Sequence, residues 1–321
     1  MSPAEAYHET SASVTHVPVM LREMLELLSP RSGGRYVDGT LGGGGHAEAI
    51  LEASAPDGNL LGIDWDEDAR GRASARLARF AARLHVAAAT FDEIGDCLER
   101  LGWDGADGIV VDLGVSSFQL DVAERGFSFS RSGPLDMRMD RSGLRPLAEW
   151  LHDVSEKELV RVLRQYGEEP RARRVARSIL AAESRGALVD TTALASVVAR
   201  AVGRGAGHHP ATRTFQALRI AVNGELEILE RFLAEAYRWL RPGGRLVVLA
   251  YHSLEDRLVK QAFRLWARSC LCPRSMPVCR CGWSKKATVL TPRPLRPTAA
   301  EVQRNPRARS ARLRAVERLA A

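Results

Sequence analysis

The sequence is nearly without lysine. Lys157, Lys260, Lys285 and Lys286 are the only four in 321 residues, so 42 of the 46 basic side chains are arginine. That bias reflects genomic base composition before it reflects function, although guanidinium groups do suit phosphate. Long apolar runs are also missing. The longest, such as 246–251, are strand-sized, far below the roughly 18 to 20 residues of a membrane span, which excludes a membrane protein. The first fifteen residues have neither a basic n-region nor an apolar stretch, so secretion is not expected and a cytoplasmic location is the default. No internal repeat is visible. With 45% hydrophobic and 26% charged residues, the composition is that of a globular chain rather than a disordered or fibrous one, and the length suits one large domain or two ordinary ones.

The net charge of +7 is unevenly distributed. Residues 291–321 hold eight arginines (Arg293, Arg296, Arg304, Arg307, Arg309, Arg312, Arg314, Arg318) against Glu301 and Glu317, so +6 lies in the last tenth of the chain. The segment is expected to be an arginine-rich tail that meets a polyanion. Cysteine is equally localised, with Cys97 alone and Cys270, Cys272, Cys279 and Cys281 within twelve residues. In a reducing compartment such a C-x-C-x6-C-x-C cluster reads as a metal site before it reads as disulfides, and four thiolates suit one tetrahedral zinc. Four reduced thiols in a loop is the alternative.

Strand and helix signals alternate through the first third. A strand at 35–38 runs into Gly39-Thr40-Leu41-Gly42-Gly43-Gly44-Gly45-His46 and a helix at 47–53. A strand at 59–64 precedes a helix at 67–82. A strand at 84–89 precedes a helix at 94–101, and a fourth strand covers 108–114. This pattern predicts an α/β fold with a doubly wound parallel sheet. Helices at 146–151, 156–166, 170–182 and 191–202 then interrupt it, so 123–212 is expected to be an inserted all-helical domain within a discontinuous α/β domain, 1–122 and 213–321. The resumed pattern is a single long helix at 212–240, a strand at 245–252, a helix at 255–268, and a last strand at 287–290 that completes the sheet before the arginine-rich tail.

Strand, glycine turn and helix together form a nucleotide-cofactor opening. Here Asp38 directly precedes the glycines. A carboxylate there repels a pyrophosphate but suits a cationic cofactor. S-adenosylmethionine carries a sulfonium and an ammonium and no phosphate, which makes assets of the strand-end acids Asp38, Asp64 and Asp112. Asp64, 22 residues after Gly42, is placed to take the ribose hydroxyls.

Several unusual strings occur in one order: His16-Val17-Pro18-Val19-Met20, the glycine turn, and Asp112-Leu113-Gly114-Val115-Ser116-Ser117. They continue with Glu124-Arg125-Gly126-Phe127-Ser128-Phe129, Gly133-Pro134-Leu135-Asp136-Met137-Arg138-Met139, Tyr166-Gly167-Glu168-Glu169 and His209-Pro210-Ala211-Thr212-Arg213-Thr214-Phe215-Gln216. His252-Ser253-Leu254-Glu255-Asp256-Arg257 and Asn305-Pro306-Arg307-Ala308-Arg309-Ser310 complete the set. Through them the sequence resembles the bacterial small-subunit ribosomal RNA cytosine-N4 methyltransferase family (RsmH or MraW) over nearly its whole length. Phe118 stands where that family usually has proline.

The resemblance implies a Rossmann-like class I methyltransferase fold and N4-methylation of a cytidine in 16S ribosomal RNA, near the decoding region. It implies cofactor contacts at Gly42, Gly44, Gly45, His46, Asp64, Phe91 (beside the adenine), Asp112 and Gln119, with Asp38 alongside. Cytosine's exocyclic amine is a poor nucleophile because its lone pair is delocalised, so the enzyme must hold acceptors at that amine. Asp112, Ser116 and Ser117 offer such oxygens, His252 is a second candidate, and the cytidine must be unstacked into a pocket beside the insert. The partner is free ribosomal RNA or the assembled small subunit, with the arginine-rich tail expected on its phosphates. A methyltransferase acting on DNA or a small molecule, and an inert RNA-binding or assembly factor of the same fold, are the rival readings.

Overall fold

The computed structural model describes residues 18–203, 209–273, 275–276 and 278–320. The polar first fifteen residues and His16-Val17 of the first family string lie outside them. Helix α1 (Leu21–Leu28) comes first and buries Met24 and Leu28. Strand β1 (Arg35–Asp38) turns into α2 (Gly45–Ala53), β2 (Asn59–Ile63) into α3 (Glu67–Arg76), and β3 (Leu84–Ala87) into α4 (Ile94–Arg100). Strand β4 (Ala106–Asp112) leads to the short α5 (Ser117–Asp121). Four insert helices follow: α6 (Leu147–Asp153), α7 (Glu156–Gln165), α8 (Ala172–Glu183) and α9 (Thr191–Val202). The main fold resumes with α10 (Thr212–Asn223), α11 (Glu225–Trp239), β5 (Leu240–Ala250), α12 (Ser253–Trp266) and β6 (Ala287–Val289). It ends with α13 (Ala299–Arg304) and β7 (Arg312–Arg318).

Two differences from the sequence expectation have clear causes. The helix expected at 212–240 is two helices, broken at Gly224, whose φ of 62° is a left-handed conformation that glycine adopts without a Cβ penalty. The arginine-rich segment is no free tail. Within it β7 inserts between β5 and β6, in the order β3-β2-β1-β4-β5-β7-β6. Strands β1 to β5 are parallel, and β7 runs antiparallel to both neighbours, from Arg245↔Glu317 to Ala250↔Arg312 against β5. This is a Rossmann-like doubly wound sheet with an antiparallel strand at one side, and a helical subdomain is inserted after β4.

Both faces of the sheet are covered, so its strands read as continuous apolar runs. Val37, Ile109, Val111, Leu246 and Val248 pack with Leu229 and Phe232 of α11 and Val259 and Phe263 of α12. Their alternates Tyr36, Val110, Val247 and Leu249 pack with α1 and α2. The insert has its own core, in which Leu159, Val162, Val175, Ile179, Leu194 and Val198 meet Phe215 and Leu218 of α10. Helix α10 thus joins the insert to the sheet. Arg125 adds a polar link, pairing with Asp66 at 2.7 Å and donating to the carbonyls of Arg138 and Met139. Asn223 clamps the loop segment Met137–Met139, accepting from the Met139 N–H and donating to the Met137 carbonyl, each at 2.8 Å.

Four of the eight C-terminal arginines are used internally. Arg314 is buried and reaches Asp256 at 2.6 Å, where Arg312 joins it at 3.0 Å. Arg307 pairs with Asp121 at 2.5 Å, and Arg318 donates to the Arg238 and Leu240 carbonyls. No helix among the described residues is long and apolar enough to cross a membrane.

Candidate active site

The three strand-end acids and the glycine turn meet at the C-terminal edge of the sheet, where ligands of open α/β sheets bind. The 22-residue spacing noted in the sequence becomes a direct contact: the Gly42 N–H donates to Asp64 Oδ2 at 2.8 Å, and the Asp66 N–H to Asp64 Oδ1 at 2.9 Å. Gly44 precedes α2 with φ 76°, a left-handed turn that aims the N-terminus of α2 at the space above. Asp38 is buried beneath the turn, accepting from the Thr40 N–H at 3.1 Å. Burial pushes both Asp38 and Asp64 up to about 6, outweighing every hydrogen bond and cation near them.

Asp112 at the tip of β4 accepts from the Tyr251 hydroxyl at 2.7 Å and lies 3.8 Å from His46 Nδ1. His46 is buried, with Nε2 3.1 Å from the Val19 carbonyl. Tyr251 is held well above the ordinary phenol range by burial and then by Asp112, so it remains a donor. Ser116 caps α5 reciprocally with Gln119: Ser116 Oγ accepts from the Gln119 N–H at 3.3 Å, and Gln119 Oε1 from the Ser116 N–H at 2.9 Å. Gln119 is buried and donates to Asp66 Oδ2 at 2.8 Å, beside the Arg125 pair. Burial pushes Asp66 up, but Arg125 and Gln119 outweigh it and hold the carboxyl below the usual range.

These groups surround a cavity of about 670 Å³. Gly42, Gly45, His46, Asp64, Phe91, Asp112, Ser116, Ser117 and Gln119 are on its wall, while Asp38 and Gly44 lie just behind it. His252 is not among the wall residues. It caps α12, accepting from the Glu255 N–H at 3.4 Å, with the Glu255 carboxylate 3.0 Å from its Nε2. Its neighbour Tyr251 takes the place facing Asp112. Sequence reasoning passed over Tyr251, although strand alternation sends consecutive side chains to opposite faces, so Tyr251 and His252 were never interchangeable.

Two further wall features were not foreseen. The guanidinium carbon of Arg72 lies over the Phe118 ring, 3.3 Å from its centroid, and Nη2 of Arg72 is buried without a hydrogen-bond partner among the described residues. Arg219 makes a two-pronged pair with Glu225 at 2.8 Å, brought together by the break at Gly224. Phe91 stands edge-on to Phe232, with centroids 5.3 Å apart, so core packing fixes its ring at the cavity margin.

Away from the cavity, the Sγ atoms of Cys270, Cys272, Cys279 and Cys281 all lie within 4.8 Å of one another. Cys270, Cys279 and Cys281 are 3.4, 3.6 and 3.7 Å apart, near the roughly 3.8 Å that zinc–sulfur bonds of about 2.3 Å give in a tetrahedron. The Leu271 and Arg280 N–H groups donate to Cys281 and Cys272, and the Leu271 and Trp283 amides pull Cys281 down to about 6.

The sequence matches the MraW methylase family over residues 13–319. It is 54% identical over 313 residues to the ribosomal RNA small subunit methyltransferase H of Thermomicrobium roseum, a match covering 97% of this chain and 96% of that protein. The protein of the same name from Syntrophobacter fumaroxidans is 51% identical over 313 residues, covering 97% and 98%. That from Geobacter sulfurreducens is 53% identical over 308 residues, covering 95% and 99%.

Proposed function

This chain belongs to the MraW methylase family, and from that premise we propose that it transfers a methyl group from S-adenosylmethionine to N4 of one cytidine in small-subunit ribosomal RNA. The carrying observation is the cavity itself, with Asp64 and Asp112 on its wall beside the glycine turn and Asp38 buried behind it, a set of carboxylates that suits a cationic ligand. When bound, the cofactor supplies an electrophilic methyl group on its sulfonium. Asp64, already fixed by two backbone N–H groups, takes the ribose hydroxyls, with Gln119 beside it and Phe91 against the adenine. Gly42, Gly44, Gly45 and His46 shape the methionine end, with Asp38 as the buried counter-charge.

Methylation obliges the amine to give up a proton. Asp112, oriented by the Tyr251 hydroxyl, is the carboxylate that receives it, and Ser116 and Ser117 supply oxygen acceptors that favour a pyramidal amine. Tyr251 is a positioning residue in this scheme, and His252 keeps the start of α12 in place. Nη2 of Arg72, at the cavity wall and without a partner among the described residues, is a donor for an acceptor on the RNA. The insert, taken as 123–212 with α10 bridging to the sheet, presents the RNA, and the cytoplasm holds that substrate. The four-cysteine loop carries one structural zinc, remote from the reaction.

The test offers S-adenosylmethionine with a labelled methyl group to naked small-subunit RNA and to assembled small subunits, followed by nucleoside mass spectrometry. N4-methylcytidine is expected. Methyl groups on a ring carbon or on adenine, or label entering DNA alone, would overturn the substrate assignment. Asp112→Ala should abolish turnover while the melting curve stays cooperative.

A further inference from the structure

We propose that a groove between α8 and α9, on the helical insert and separate from the cofactor cavity, is a docking site for the RNA phosphodiester backbone. The groove encloses about 510 Å³ and is lined by Arg174, Arg185 and Arg200 together with Ser178, Ser196 and small residues such as Ala193. The two helices are antiparallel, since Arg171 before α8 donates to the Val202 carbonyl at the end of α9. Arg174 and Arg200 therefore share one end of the groove, and Arg185 marks the other.

These three guanidinium groups make no hydrogen bond or ion pair with any described residue, and no carboxylate lines the groove. Elsewhere on the insert the pattern is different. Arg138 and Arg141 pair with Asp136, Arg145 with Asp153, Arg161 with Glu158 and Arg177 with Glu156. The two acids nearest the groove are already engaged: Glu183 meets His152, and Asp190 caps α9 and accepts from Ser132. Arg164 and Arg173 on the open surface of the insert also lack a partner among the described residues, but Arg174, Arg185 and Arg200 differ in converging on a recess that can receive a ligand. Alanines on both walls let a backbone approach, and two serine hydroxyls supply donors that suit phosphate oxygens.

The span selects a polymer. Arg174 and Arg185 are eleven positions apart, about 16 Å at 1.5 Å per residue, too far for a single phosphate to bridge. A strand of nucleotides laid along the groove meets both ends. None of the residues lining the groove is aromatic, so no ring is offered for a base to stack on; it binds RNA without reading its sequence and serves to orient the strand whose cytidine enters the cavity.

The inference rests on RNA being the substrate, and the experiment separates the two. The full-length protein and its Arg174→Gln/Arg185→Gln/Arg200→Gln variant are titrated with naked small-subunit RNA from roughly 50 to 200 mM salt. The variant's slope of log affinity against log salt should be shallower by about two, at 0.7 to 0.9 per lost phosphate contact. The corresponding triple lysine variant should keep most of the slope. Cofactor affinity and melting temperature should be unchanged in both, and kcat at saturating RNA should be retained while KM rises. Equal slopes for wild type and glutamine variant, in a wild-type protein that binds and methylates RNA, overturn the groove assignment alone. A loss seen with assembled subunits but not with naked RNA would give the groove to a protein partner and also overturn it. A wild-type protein that neither binds nor methylates the RNA would overturn the substrate reading and this inference together.

Discussion

Arginine is concentrated in two regions of this chain, and they use it in opposite ways. In β7, Arg312 and Arg314 turn toward Asp256 of α12, and a strand that alternates charge with Leu313 and Ala315 sits inside the sheet. Between α8 and α9, Arg174, Arg185 and Arg200 have no acidic partner among the described residues and face a recess. The richer segment in sequence is the one that spends half of its arginines inside the fold, three of them on carboxylates. Local charge density therefore says little about where a polyanion binds; what decides is whether a carboxylate from elsewhere in the chain has been brought to each guanidinium.

Truncation tests the comparison most severely. Removing residues 291–320 takes β7 from between β5 and β6 and opens both cores that Leu313 and Val316 help close. No cooperative unfolding transition and no cofactor binding are expected by calorimetry. A truncated protein that melts cooperatively would return the segment to the role of a dispensable tail.

A single substitution sharpens the contrast. Arg314→Met leaves the Asp256 carboxylate with only the more exposed Arg312, and should cost about 3 kcal/mol in urea denaturation, the scale for breaking a buried pair from one side. Burial pushes Asp256 up, but Arg314 and Arg312 outweigh it and hold its carboxyl below the usual range. Its share of stability is present at neutral pH and is lost as pH falls through that lowered value.

Asp64 provides the opposite sign within the same molecule. Its folded value of about 6 lies above the unfolded one, so the empty protein gains from its protonation and loses that contribution as pH rises from about 4 through 6. A hydroxyl-bearing cationic ligand favours the ionised form. Cofactor affinity should thus weaken as pH drops below about 6, and Asp64→Asn should flatten that profile. Asp64→Ala should weaken binding by about 1 to 3 kcal/mol at neutral pH. Calorimetry at several pH values checks both, and a wild-type affinity that is level between pH 5 and 7 would count against Asp64 as the ribose acceptor.

The smallest effects belong to the outward-facing sites. Replacing Arg174, Arg185 and Arg200 together should move the denaturation midpoint by no more than about 0.5 kcal/mol in stability, because each is exposed and unpaired. The cysteine loop should yield about one zinc per chain on metal analysis and lose it to a chelator, with cofactor affinity intact. Protein prepared with ample zinc but containing none would refute that site.

Much of the α/β framework was legible because apolar strands and glycine punctuation are local signals. Strands β1 to β4, most of their helices and the insert helices fall within a few residues of the sequence expectation, while α3 ends at Arg76, six residues short of it, and gives way to a 3-10 turn at Ala78–Phe80. The break at Gly224 was missed, because helical periodicity on both sides outweighed the local stop signal of Asn223-Gly224. Strand β7 was hidden for a different reason. Arg314 occupies an inward-facing position, and its burial makes sense only once Asp256, 58 residues away, is known to face it.

Residue identity at short spacing was enough for the family, the glycine turn, and the strand-end positions of Asp38, Asp64 and Asp112. Tertiary structure alone decided which groups share the cavity: Tyr251 rather than His252 meets Asp112, Gln119 reaches Asp66, and Arg72 lies over Phe118. It also decided which arginines face outward. Those relations depend on distances between segments far apart in the chain, and electrostatic pairing falls off with separation in space, of which sequence separation is no measure.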